Sequence, residues 1–308
     1  MKLPKQIQSR KLSAAPPPIS ATSLYLAAAE QPSAPLPSSS PLVYALGTLG
    51  YSFVSGPRRD LFVQEMAPAS PTTHSDLLVY LAENPSQAAL LAWTISVDQT
   101  PIYVLQPEPA FGRETYALLR QFLGQLSGDH AMQVSVPGRV SGQITLMTGE
   151  TTPVVQPALP GMYGWFGGAL LQLFLTDGKL DAQEQQQISD QIDKFQQRVY
   201  AELRNHGRTA QERALNYAAT QAYQLLWTQM ADATARQTMQ DLELSEITVK
   251  PSPICRPGAA PDCWDVELRF FDPDQHLVQP RRVYRFTVDV STVIPVTIGE
   301  PGEWLRYD

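Results

Sequence analysis

The stretch CWDVELRFFDPDQHLVQPRRVYRFTVDV, residues 263–290, decides the fold class. From Trp264 to Phe270 apolar and polar residues alternate, with Trp264, Val266, Leu268 and Phe270 on one side and Asp265, Glu267 and Arg269 on the other. That two-residue period is the mark of a half-buried strand. Arg282 to Val290 alternates again and is rich in aromatic and β-branched residues. Phe271-Asp272-Pro273-Asp274-Gln275-His276 between them has the chemistry of a turn, so the pattern predicts a β-hairpin.

Upstream the period changes. Ile188, Ile192, Phe195, Val199 and Leu203 recur at helical spacing, and Leu215, Ala219, Ala222, Leu226 and Met230 do the same. The spacing predicts helices over about 181–205 and 209–240. Gly207 suits a left-handed helix end and Thr209 with Glu212 a capping box, so the pair reads as a long antiparallel helical hairpin. Its outer faces, rich in Gln and nearly uncharged, suit a peptide as well as water.

Further back, Leu42–Gly47 reads as a strand and Arg58–Ala67 as a short helix behind Pro57, with Leu61, Phe62 and Met66 inward. His74 to Trp93 reads as two short helices broken at Asn84-Pro85, with Ser75 as the first cap. Ile95–Leu105 reads as strands around Asp98-Gln99-Thr100-Pro101, Phe111–Leu126 as a helix, and Met132–Val155 as short strands. Residues 1–41, rich in Pro, Ser and Ala, read as a disordered arm whose Leu24-Tyr25-Leu26 cluster is a candidate docking motif. The expectation is an α+β domain over 42–308, a broken, mainly antiparallel sheet packed against the helical hairpin.

The composition bounds function. A net charge of −7, from 23 basic and 30 acidic residues, opposes nucleic acid and anionic lipid as partners. There is no apolar run long enough to span a bilayer and no secretory-type start, which predicts no membrane partner and a cytoplasmic protein.

The hairpin also carries a resemblance. CRPGAAPDCWDVELRFFDP and VYRFTVDVSTVIPVTIGE, with YALGTLGYSFVSGPRRDLF, PIYVLQP, VSVPG and PALPGMYGW upstream, resemble the C-terminal domain of the cyanobactin maturation proteases of the PatA and PatG type. The resemblance runs from about Leu42 to Glu300. In that family the domain has no assigned reaction, so the resemblance implies a pathway rather than a chemistry. The subtilisin-like catalytic segments of the family are not in this chain, which argues against a serine protease here.

Several constellations can carry chemistry. Cys255 and Cys263 are separated by seven residues in a Pro- and Gly-containing loop, and with His206 they could ligate zinc. The spacing is wider than in zinc knuckles, and a disulfide, a redox pair or two ordinary thiols are the alternatives. Asp177 to Glu184 copies the second half of a calcium loop, but Leu173 and Leu175 stand where carboxylates should begin it. His74, His130, His206 and His276 read as surface or cap histidines. Tyr163, Trp165 and Phe166 form the candidate peptide-contacting patch, set against core packing for the same residues. The expected function is a non-catalytic binding or scaffold domain of cyanobactin-like peptide maturation that contacts precursor peptide or a partner protease. The alternatives are a peptide-modifying enzyme built on Cys255, Cys263 and Asp262, and a structural module that forms a homodimer.

Overall fold

The structure is a computed structural model and describes residues 40–125, 133–165, 182–231, 242–255, 262–273 and 280–307. The N-terminal arm, Phe166, residues 177–181 of the calcium-like segment, 232–240, and residues 274–276 of the hairpin turn lie outside the described residues.

β1 (Leu42–Phe53) organises the N-terminal half. Its first part pairs with β4 (Gln133–Thr145), Leu42 opposite Arg139 through Thr48 opposite Gln133. Its second part pairs with β2 (Leu91–Val97), Thr48 opposite Ser96 through Phe53 opposite Leu91. β2 continues to β3 (Thr100–Leu105), β3 lies parallel to β5 (Thr151–Pro157), and β5 returns to β4. The expected broken sheet is therefore corrected to a closed five-stranded barrel, with the two-residue β6 (Tyr163–Gly164) added beside β4. Closure needs β1 to change partners, and Gly47 stands at that corner. A Cβ there would meet the Ser96 carbonyl and the Ile95 side chain, so the close approach of the strands requires glycine.

Alternation along β1 then separates two cores. Val43, Ala45, Leu49 and Phe53 point into the barrel with Trp93, Ile95, Tyr103, Val134 and Val136. That interior is capped by Phe62 and Met66 of α1 (Gly56–Met66), Leu77 and Leu81 of α2 (His74–Glu83), and Leu119, Phe122 and Leu123 of α3 (Gly112–Gly124). Leu61 lies outside this inner face and is exposed. Helix α2 begins after Thr73 rather than at Ser75. Leu91 and Trp93, expected in a helix, belong to β2 and are buried in the barrel, because Pro85–Leu90 forms only a short 3-10 turn.

Leu46, on the opposite face of β1, joins the second core. Here lie α4 (Ala182–Glu202) and α5 (Ala210–Ala231), close to the expected bounds. They are not held chiefly as a hairpin against each other. α5 packs on β1 and β4 of the barrel and on the second sheet, and α4 packs on β7. Small residues let α5 sit between two layers: Ala214, Ala218, Ala219 and Ala222 are all buried. The capping box forms as predicted, with Thr209 Oγ1 accepting from the Glu212 amide at 3.1 Å while Glu212 Oε2 accepts from the Thr209 and Arg208 amides.

The second sheet runs β7 (Glu243–Pro251), β8 (Cys263–Phe271) and β9 (Arg281–Asp289), with β10 (Val296–Thr297) and β11 (Gly302–Arg306) both along β9. The β8–β9 hairpin is antiparallel from Cys263 opposite Asp289 to Phe270 opposite Arg282. Val266, Leu268, Phe270, Tyr284, Phe286 and Val288 form its core face. On the other face Asp265 is buried and accepts from Thr287 Oγ1 at 2.7 Å.

Glu267, also buried on that face, meets Lys250 at 2.9 Å and Arg269 at 3.4 Å. Burial alone would push its carboxyl up, but Lys250 and Arg269 outweigh that and hold it below its ordinary value of 4.5. Its contribution to stability is thus complete above 4.5 and is lost as the pH falls through the lowered native value. Urea midpoints taken between about pH 6 and about pH 3 should fall for the wild type and fall less for Glu267→Gln. Equal losses in both would show that the pair contributes nothing.

Candidate functional site

Of the aromatic residues singled out in the sequence, Trp165 belongs to the core and Tyr163 is half-buried against it. Trp165 is 2% exposed and stacks on Tyr223 with ring centroids 4.6 Å apart and on Phe195 at 6.5 Å. Its indole N–H donates to Ser135 Oγ at 2.8 Å and its backbone N–H to the Gln133 carbonyl at 2.9 Å. An indole satisfied inside the protein has no reason to face solvent, so Trp165 is not a contact surface in this conformation. Tyr163 packs edge-on to Tyr223 at 6.2 Å, and burial pushes its hydroxyl up.

Cys255 and Cys263 are joined as a disulfide across the connection between β7 and β8, their Cα atoms 5.7 Å apart. Both sulfurs are thereby used. His206 sits in the α4–α5 connection, where its carbonyl accepts from the Tyr103 hydroxyl at 2.8 Å. Among the described residues no group of three or more His, Cys, Asp or Glu comes together to hold a metal. Asp262 accepts from the Trp264 indole at 2.7 Å and lies 3.7 Å from Arg213, which also donates to the Arg208 and Val290 carbonyls.

A concave feature lies elsewhere, where β1 changes partners. Ser96, Thr48 and Gln133 are register neighbours across β2, β1 and β4 and point to one face of the barrel, outward. They form the floor of an open cleft of about 480 Å³ together with Leu49, Gly50 and Gln99. The opposite wall is α4. Its apolar stripe from Ile188 to Leu203 is buried, which leaves Asp193, Gln196, Gln197 and Tyr200 as a second stripe at i, i+3, i+4 and i+7.

Both ends of the wall are pinned. The Tyr200 hydroxyl accepts from the Asp98 amide at 2.7 Å and donates to Asp98 Oδ1 at 3.1 Å, while Arg204 lies 3.5 Å from Asp98 Oδ2. Asp98 and Gln99 hold positive φ of 48° and 65°, as a two-residue hairpin turn requires. Toward the other end Gln196 Nε2 donates to the Trp165 carbonyl at 3.3 Å and to the Tyr223 hydroxyl at 3.2 Å. Burial pushes the Tyr223 hydroxyl strongly up, with Asp193 adding to the shift. The core tryptophan therefore supports the site without lining it.

Amides and hydroxyls dominate the lining, with Asp193 its one charged residue. Gln133 Oε1 is buried and has no hydrogen-bond partner. Such a surface can bind by hydrogen bonds along a chain of peptide groups. Sequence reading had noted the Gln-rich helical faces but not the barrel floor, because no local motif connects Thr48, Ser96 and Gln133.

The architecture defines a mixed α+β domain in which a closed barrel and an open sheet share two helices. Residues 182–304 match the family described as PatG C-terminal. A solved structure, the "PatG Domain of Unknown Function", is similar over 86% of this chain and 99% of that one, with 36% sequence identity and a TM-score of 0.71. The chain belongs to this PatG C-terminal family. A comparison with curated proteins finds no match. Among the described residues no helix is long and apolar enough to cross a membrane.

Proposed function

We propose that this protein is an accessory binding module of cyanobactin-type ribosomal peptide maturation and that its cleft receives a segment of precursor peptide. The pathway follows from kinship with PatG. The observation that carries the binding role is the cleft itself, about 480 Å³, amide-lined and pinned at both ends. A preformed wall limits the ordering cost of binding, and side-chain amides match the alternating donors and acceptors of a peptide main chain. A maturation protease domain is the competing partner and would use a surface other than the cleft.

Calorimetric titration of the full chain with a candidate precursor peptide, and separately with that protease domain, tests the reading. Micromolar binding of the peptide, weakened about ten-fold by Gln196→Ala, is the expected result. Binding of the protease domain alone would replace the peptide as partner. No heat and no co-elution with either would end the proposal.

A further inference from the structure

We infer that β11 is a docking edge for an extended acidic peptide, which adds to the second sheet as a further strand. This surface shares no residue with the cleft, and the inference does not depend on the cleft. β11 pairs with β9 on one side, and among the described residues no strand pairs with its other side. Glu303, Trp304, Leu305 and Arg306 are all exposed, so neither face of the strand is covered as a core strand would be. An edge of this kind offers its amides and carbonyls to another extended chain.

The side chains on that edge decide the partner's chemistry. Across β9 and β11, Arg285 faces Gly302, Val283 faces Trp304 and Arg281 faces Arg306, so three arginines and a tryptophan share one face of the sheet. The Arg285 guanidinium leans across β11, its carbon 5.6 Å from the centroid of the Trp304 ring. Both groups lie over Gly302. A Cβ there would already touch them, at 3.7 Å from Trp304 Cζ3 and 3.9 Å from Arg285 Nε, and a larger side chain would displace them. Arg285 has no carboxylate partner among the described residues: Glu267, its neighbour on β8, is held by Lys250 and Arg269, while Glu303 points to the other face and holds Arg282 at 2.9 Å. A strand added beyond β11 lies two strand spacings, about 10 Å, from β9. An extended arginine and a carboxylate side chain cover that distance between them. Positions opposite Gly302 and Arg306 are therefore matched by acidic residues, and the position between them, opposite Trp304, by an apolar one. That alternation reads the same in both chain directions.

The probe is an acetylated, amidated heptapeptide, Thr-Glu-Thr-Leu-Thr-Glu-Thr, titrated into the full chain by calorimetry beside its counterpart with glutamine for both glutamates. At low salt the acidic peptide should bind about ten-fold more tightly, and Arg285→Gln should reduce that preference to about two-fold or less. Trp304→Glu, at an exposed position, supplies a second variant should Arg285→Gln fail to fold; it sets a carboxylate against the acidic peptide and should abolish the preference. Two further acidic peptides, N-methylated on the threonines or on the other three residues, lose alternate main-chain donors at constant charge. One should bind about ten-fold more weakly than the other, because only one set of amides faces β11. Equal affinities for the glutamate and glutamine peptides, a preference that survives both substitutions, or equal tolerance of the two N-methylated peptides would overturn the inference. So would a dimer in light scattering that Trp304→Glu splits, since a second copy of the chain would then fill the edge. Gln196→Ala in the cleft should leave this binding unchanged, which keeps a failure here distinct from a failure of the cleft.

Discussion

Replacing Gly207 by alanine will destabilise the protein by about 4 kcal/mol, whereas the same change at Gly149 will cost about 1 kcal/mol. Both glycines have positive φ, 65° at Gly207 and 85° at Gly149, so both substitutions force an L-residue into the left-handed region. They differ in surroundings. A Cβ at Gly149 meets nothing, while one at Gly207 would run into the backbone carbonyl of Tyr44 and approach Asn216 Nδ2 at 3.1 Å. That carbonyl cannot swing away. It accepts from Asn216 Nδ2 at 2.9 Å, and the Tyr44 amide donates to the Gly207 carbonyl at 2.9 Å. The α4–α5 connection is thus tied to the first strand of the barrel at a single glycine. Urea denaturation of both variants, with Gly142→Ala as a control in open space, separates the strain from the collision. Equal losses at Gly207 and Gly149 would show that β1 yields at no cost.

The elements that the sequence revealed are those with short-range causes. The β8–β9 hairpin is a period of two on either side of a turn. The two helices are periods of four and three joined by a glycine and a capping box, and each of those letters acts within four residues of itself. Barrel closure has no such local cause. It depends on Thr48 facing Gln133 on one side and Ser96 on the other, and on a parallel contact between β3 and β5. Leu91 to Thr94 shows why the first half of β2 is not legible as a strand, unlike Ile95 onward. Buried along its whole length, it has no alternation to distinguish a strand from a helix. The cleft inherits the same difficulty. Its helical wall was legible as Gln196 and Gln197 beside an apolar stripe, but its floor exists only once three strands are in register.

Truncating Trp165 to alanine should cost about 4 kcal/mol, close to the loss at Gly207 but by a different route. The indole fills the space between Tyr223 and Phe195, and Phe195 in turn stacks on Phe270 of the second sheet at 6.2 Å. This run of rings links the barrel wall to α4, α5 and β8. Removing its first member leaves a cavity that strands and helices fixed elsewhere cannot close. It also takes a donor from Ser135 Oγ, which is buried and shares a 2.7 Å hydrogen bond with Thr220. Trp165→Phe keeps most of the ring contact and loses that hydrogen bond, so its cost should be about 1–2 kcal/mol. Because the Trp165 carbonyl and Tyr223 hydroxyl orient Gln196, the alanine variant should also weaken peptide binding, although Trp165 touches no ligand. Chemical denaturation with calorimetry on the same samples reads both effects. A variant that loses stability but keeps full affinity would show that Gln196 is positioned without the aromatic stack.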